Sequence, residues 1–192
     1  MTASWPVPAA LVALSAIPLA AGTIRLLDLA QRPSLLAVPL VVHIVGAAGY
    51  ALAGAFQFVP RLRRTHPAWH RRAGRVLAAA GLLVAGSALW MTILYTAKPG
   101  TGALLFALRL VFGTAMAASL VLGLAAIRRG DVAAHRAWMT RAYAIGLAAG
   151  TQAFTEGFAG ALLGPGVLVG DLAKGAGWVI NLAVAEYVVR RS

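Results

Sequence analysis

Long apolar stretches alternate with short basic tracts along this chain. The first uncharged run extends from Val7 to Ile24 and the second from Leu35 to Pro60, with His43 inside it. The third runs from Val76 to Ala97 and the fourth from Ala103 to Ile127, interrupted by Arg109. A fifth begins at Ala142 and continues to Leu163 with Glu156 inside it. A sixth ends at Val189; Gly164-Pro165-Gly166, Asp171 and Lys174 obscure its start, which is placed at 172. Each run approaches the ~20 residues that carry a helix across a ~30 Å hydrocarbon core, and none alternates like a barrel strand. The pattern predicts an all-α integral membrane protein, one polytopic domain over residues 1–192 with spans at 7–24, 35–60, 76–97, 103–127, 142–163 and 172–189. No Lys or Arg precedes the first run, so it reads as a retained span rather than a signal peptide, and a membrane helix tolerates its Pro18.

The basic tracts set an orientation. Arg61, Arg63, Arg64, Arg71, Arg72 and Arg75 follow the second run; Arg128, Arg129, Arg136 and Arg141 follow the fourth; Arg190 and Arg191 follow the sixth. Six spans place these twelve on one side and Arg25, Arg32, Lys98 and Lys174 on the other. The bias predicts both termini in the cytoplasm.

Two basic tracts echo one another at an offset of 65 residues: RRTHPAWHRRAGR from Arg63 to Arg75, and RRGDVAAHRAWMT from Arg128 to Thr140. Arg63-Arg64 corresponds to Arg128-Arg129, and His70-Arg71 to His135-Arg136. Spans two to five would then form a pseudo-repeated four-helix bundle about an axis along the membrane normal. His43 in a glycine-rich span, Gln57 near its end, the HPAWHRRAGR loop and the HRAWMTR tract resemble the bacterial membrane-protein family known as domain of unknown function 2306, over roughly residues 35 to 160. The resemblance implies a polytopic helical protein of a bacterial inner membrane and implies no established activity.

Composition agrees with a lipid solvent. Sixty per cent of residues are hydrophobic, 11% are charged and the mean hydropathy is +0.81, against about 25% charged in a soluble domain. The net charge of +12 and pI near 11.7 would suggest nucleic acid, but the arginines lie between apolar runs where topology puts them, so no nucleic-acid partner is expected. The absence of cysteine excludes disulfides, thiolate catalysis and Cys-ligated metal centres.

Candidate chemistry lies in the polar residues inside the runs. An ionisable group in the bilayer costs at least ~2.5–3.5 kcal/mol, so it normally faces a partner or water. At a ~1.5 Å rise per residue, Arg109, Glu156 and His43 share one layer roughly 9–12 Å from the outer ends of their helices. Gln152 lies one turn from Glu156, and His43, Gly46, Tyr50, Gly54 and Gln57 fall on one polar and small stripe. The expected site is therefore a polar pocket toward the outer face made by His43, Tyr50, Gln57, Arg109, Gln152 and Glu156. Arg109 would hold an anionic or carbonyl group, Glu156 would balance it and His43 would exchange a proton. The alternative for the same residues is a buried Arg109–Glu156 pair that fixes helix register.

On the basic side His66 and His70, and Asp131 and His135, are spaced i, i+4, but the crowd of arginines opposes a cation. Pro67 as a first helical residue and Asp131 as an N-cap explain these positions, so no metal is expected. A b-type haem would need a second ligand beside His43, with Met91 the candidate at similar depth. No phosphate loop, GxSxG or HExxH occurs, and no catalytic residue emerges. The expectation is a non-enzymatic membrane protein that binds a small ligand or handles protons. A redox protein holding haem or quinone, and a structural subunit or chaperone of a membrane complex, are the alternatives.

Overall fold

The computed structural model describes residues 5–32 and 34–191. Nearly all of them are helical, and none of the described residues forms a strand. Helices α1 (Pro6–Leu14) and α2 (Ala16–Gln31) meet at Ser15 with a bend of 42°. Pro18 accounts for the break: it has no N–H for the carbonyl of Leu14, and its ring crowds the preceding turn. The Ser15 hydroxyl donates to the Leu11 carbonyl at 2.9 Å inside this bend. Beyond the expected end at Ile24 the helix continues for another two turns, carrying an exposed Arg25–Asp28 ion pair.

A 3₁₀ turn leads into α3 (Val38–Ala55), and a second one, Phe56–Phe58, leaves it for the short α4 (Pro60–Thr65). Helix α5 (Pro67–Leu94) starts at Pro67. Arg71, Arg72 and Arg75 are therefore on the helix itself and not on a loop, because arginine and alanine are good helix formers once a proline has fixed the first turn. Helix α6 (Ala103–Arg128) is followed by α7 (Val132–Gly146), whose N-cap is Asp131, accepting from the Ala134 N–H at 2.9 Å. A break at Leu147 separates α7 from α8 (Ala148–Leu163). Gly164, at φ 76°, turns the chain into α9 (Val167–Arg190), which begins ahead of the expected 172 and so contains Asp171 and Lys174.

Four helical stretches, Leu35–Phe58, Pro67–Leu94, Ala103–Arg128 and Val167–Arg190, are long and apolar enough to cross a membrane, and there are five if the bent α1–α2 pair is counted as one span. The stretch expected as the fifth span lies on two consecutive helices of 15 and 16 residues, broken at Leu147. Apolar side chains cover the exterior: Leu83, Val111, Phe158 and Val179, on four different helices, are 58–70% exposed. A monomeric soluble protein would not present so continuous an apolar surface. Together these features define a polytopic helical membrane protein.

The core forms where α3 packs on α5, α5 on α6 and α6 on α7, while α9 closes the bundle against α6, α7 and α8. Tyr50 is its central side chain. A methyl group added at Gly81 of α5 or at Gly146 of α7 would come within 2.8 or 2.9 Å of the Tyr50 ring, so both glycines are there to let it in. Gly81 and Gly146 stand 65 residues apart, the same offset that relates His70 to His135. The neighbouring Tyr143 rests on Gly54 and donates its hydroxyl to the Ala51 carbonyl at 2.6 Å.

Candidate functional site

The polar residues of α8 and α9 meet in one seam. Lys174 Nζ lies 2.7 Å from Glu156 Oε2. Beside this pair, Gln152 donates to the Lys174 carbonyl at 3.0 Å and Thr155 to the Ala173 carbonyl at 2.7 Å. Further along, Thr151 donates to Asn181 Oδ1 at 2.6 Å, and Asn181 Nδ2 donates to the Ala144 carbonyl at 2.9 Å. Gly177 makes the notch that Gln152 fills; a Cβ there would be 2.6 Å from the Gln152 side chain. Without water to compete, such inter-helix bonds fix the register of two helices.

This geometry corrects the expected counterion. Glu156 is paired with Lys174, not with Arg109. Depth did agree, since by helix rise all three lie about two turns from the same end of the bundle, but depth does not decide which residues face each other. Arg109 belongs to the inward stripe of α6 with the buried Leu105, Phe112 and Met116. It is half-buried, and among the described residues it makes no ion pair or hydrogen bond.

Asp171 was not among the expected site residues. It is the most deeply buried charged group, 2% exposed, and it caps a helix other than its own. The N–H groups of Gly102 and Leu105 donate to its carboxylate at 3.1–3.2 Å. These are orphan donors at the start of α6, where the helix dipole also favours a negative charge. The sequence signal for the seam was the small and polar stripe Gly170, Lys174, Gly177 and Asn181, of the same kind as the stripe read in the second span.

The other expected residues lie apart from the seam. His43 faces α5, with Nδ1 at 3.1 Å from the Val84 carbonyl and 3.2 Å from Ser87 Oγ. Ser87 spends its own hydrogen on the Leu83 carbonyl at 2.7 Å, so both neighbours accept and Nδ1 carries the proton. The His43 Nε2 has no hydrogen bond among the described residues. Tyr50 is a packing residue, tilted against Tyr143 with ring centroids 5.6 Å apart. Gln57, near Gly74 in the 3₁₀ turn, has a buried Nε2 without a hydrogen-bond partner.

At the arginine-rich end, His135 Nδ1 bonds the Gly123 carbonyl at 2.8 Å and fastens α7 to α6. Arg141 makes a two-pronged contact with Glu186 of α9, one arm at 3.0 Å, and this hydrogen bonding holds its guanidinium above the ordinary arginine range. Among the described residues no three His, Asp or Glu side chains gather as a metal site.

The profile of a family described as a predicted membrane protein, DUF2306, matches residues 40–189. The chain belongs to this family, and the match extends past the resemblance read in the sequence to include α9. No curated protein and no solved structure matches the chain.

Proposed function

We propose that this protein, in a bacterial inner membrane with both termini cytoplasmic, binds a small anionic or carbonyl-bearing ligand through Arg109 at the outer end of the bundle. The observation that carries the reading is an imbalance of partners. The three carboxylates of α8 and α9 are engaged: Glu156 by Lys174, Asp171 by the start of α6, and Glu186 by Arg141. Arg109, on an inward stripe of a membrane helix, is left with five N–H donors and no acceptor among the described residues. Guanidinium groups so placed favour planar acceptors such as carboxylate or phosphate.

The test uses purified protein in detergent, with inorganic phosphate and acetate as probes. Each anion should raise the melting temperature of the wild type and leave Arg109→Gln unmoved. Without anion, Arg109→Gln should be at least as stable as the wild type, since it removes an unpaired charge. Equal anion response in both proteins, or a large loss of stability in the variant, refutes the reading.

One observation favours a second reading, a redox protein holding b-type haem or quinone. The fixed Nδ1–H of His43 leaves Nε2 free and unprotonated, the arrangement of an imidazole that ligates iron or accepts from the hydroxyl of a reduced quinone. An absorption spectrum of the purified protein with a Soret band, lost in His43→Ala, would establish haem; its absence leaves the quinone arm to extraction of the purified protein.

A further inference from the structure

Two cavities open along α8 and α9 and meet at Ala159, Val169 and Ala173. The larger, about 610 Å³, is an apolar groove walled by Phe154, Phe158, Leu163 and Leu172. The smaller, about 190 Å³, is a cleft lined by Glu156 and by the backbone of Gly160, Gly164, Gly166 and Gly170. In size the groove falls within the ~300–1,000 Å³ of small-molecule sites. Its polar end is charged in a particular way. Glu156 presents one oxygen to Lys174, while its other oxygen has no partner among the described residues and the side chain is 40% exposed. Gly170 has no side chain to screen Lys174, whose Nζ lies 3.7 Å from the position a Cβ would take there. Glu156 thus lines the cleft that adjoins the apolar trough, with the Lys174 ammonium beside its carboxylate.

We propose that this composite site holds a phosphoethanolamine lipid, with its ammonium on Glu156, its phosphate on Lys174 and one acyl chain along Phe154, Phe158 and Leu172. A zwitterionic head supplies the opposite charge to each member of the pair, so the Glu156–Lys174 contact is exchanged for two charge-assisted bonds and neither ion is left unpaired. A purely anionic head would meet Lys174 but supply no cation to Glu156, whose carboxylate would lose its only partner among the described residues. The site is separate from Arg109 and does not rest on the anion reading.

The experiment is native mass spectrometry of the full chain, released from vesicles of equal phosphatidylethanolamine and phosphatidylglycerol content. The wild type should retain one phosphatidylethanolamine in about tenfold preference over phosphatidylglycerol. Glu156→Gln should abolish the preference. So should Gly160→Leu, which sets a larger side chain on the cleft lining at a position where an added Cβ meets nothing within 4 Å, with the melting temperature read alongside to check that the variant is folded. Soluble phosphoethanolamine should fail to displace the lipid, since it lacks the chain that the groove takes. Equal retention of both lipids, preference for phosphatidylglycerol, a preference that survives Gly160→Leu, or displacement by free phosphoethanolamine would each overturn the assignment and leave only exchanging annular lipid.

Discussion

Replacing Asp171 with alanine should unfasten α9 from the start of α6. The carboxylate accepts from two backbone donors, Gly102 N–H through both oxygens and Leu105 N–H through Oδ2. Leu105 is 1% exposed, so water cannot take over the bond when the side chain is shortened. Each donor left unsatisfied costs about 1–3 kcal/mol. Part of this returns because no carboxylate then has to be desolvated, which gives an expected loss of ~2–4 kcal/mol. Asp171→Asn keeps one carbonyl oxygen and the shape but loses the charge that the helix dipole favours, and should lose about half as much. Glycine at 102 belongs to the same device, since a Cβ there would be 2.5 Å from Asp171 Oδ2. Reversible unfolding of the purified protein in mixed micelles, followed by circular dichroism, measures all three proteins. A change under about 0.5 kcal/mol for Asp171→Ala, or a larger loss for the asparagine variant than for alanine, would refute the capping argument.

Other perturbations test other joints. Gly150→Ala places a Cβ 2.2 Å from the Leu14 carbonyl at the α1–α2 bend, and should destabilise by ~1–3 kcal/mol in the same unfolding assay; a neutral result would show that the bend does not pack against α8. Arg141→Ala removes a partly exposed ion pair and should lose only about 0.2–1 kcal/mol, a difference that shrinks further in high salt; salt-independent loss would place the pair in a dry environment. A cytoplasm-active reporter fused after Ser192 and a periplasm-active one at Lys98 should both be functional, as the arginine bias predicts, and the opposite activities would invert the topology.

The helical membrane class was legible in the chain because apolar length and basic punctuation are local properties, and the lipid that selects them acts on each segment separately. The same locality made Pro67 and Asp131 readable as helix starts and the 65-residue offset visible. Where a helix gives way to another, as at Leu147, or begins early, as at Val167, the competing signals were weak and packing decided. Side-chain partners were not legible. Arg109, Glu156 and Lys174 occupy one depth, and helix rise computes depth from sequence; the choice of Lys174 for Glu156 depends on the rotation of α8 against α9, which Gly177, Gln152, Thr155 and Asn181 set together. Asp171 looked like an obstacle to a span because its acceptors could be counted but its donors, at residues 102 and 105, lie 69 and 66 positions away. Hydropathy and charge along the chain determine which segments enter the membrane; only the tertiary structure, by placing distant backbone and side-chain groups in contact, decides which charges inside the bundle are satisfied and which, like Arg109, have no partner among the described residues.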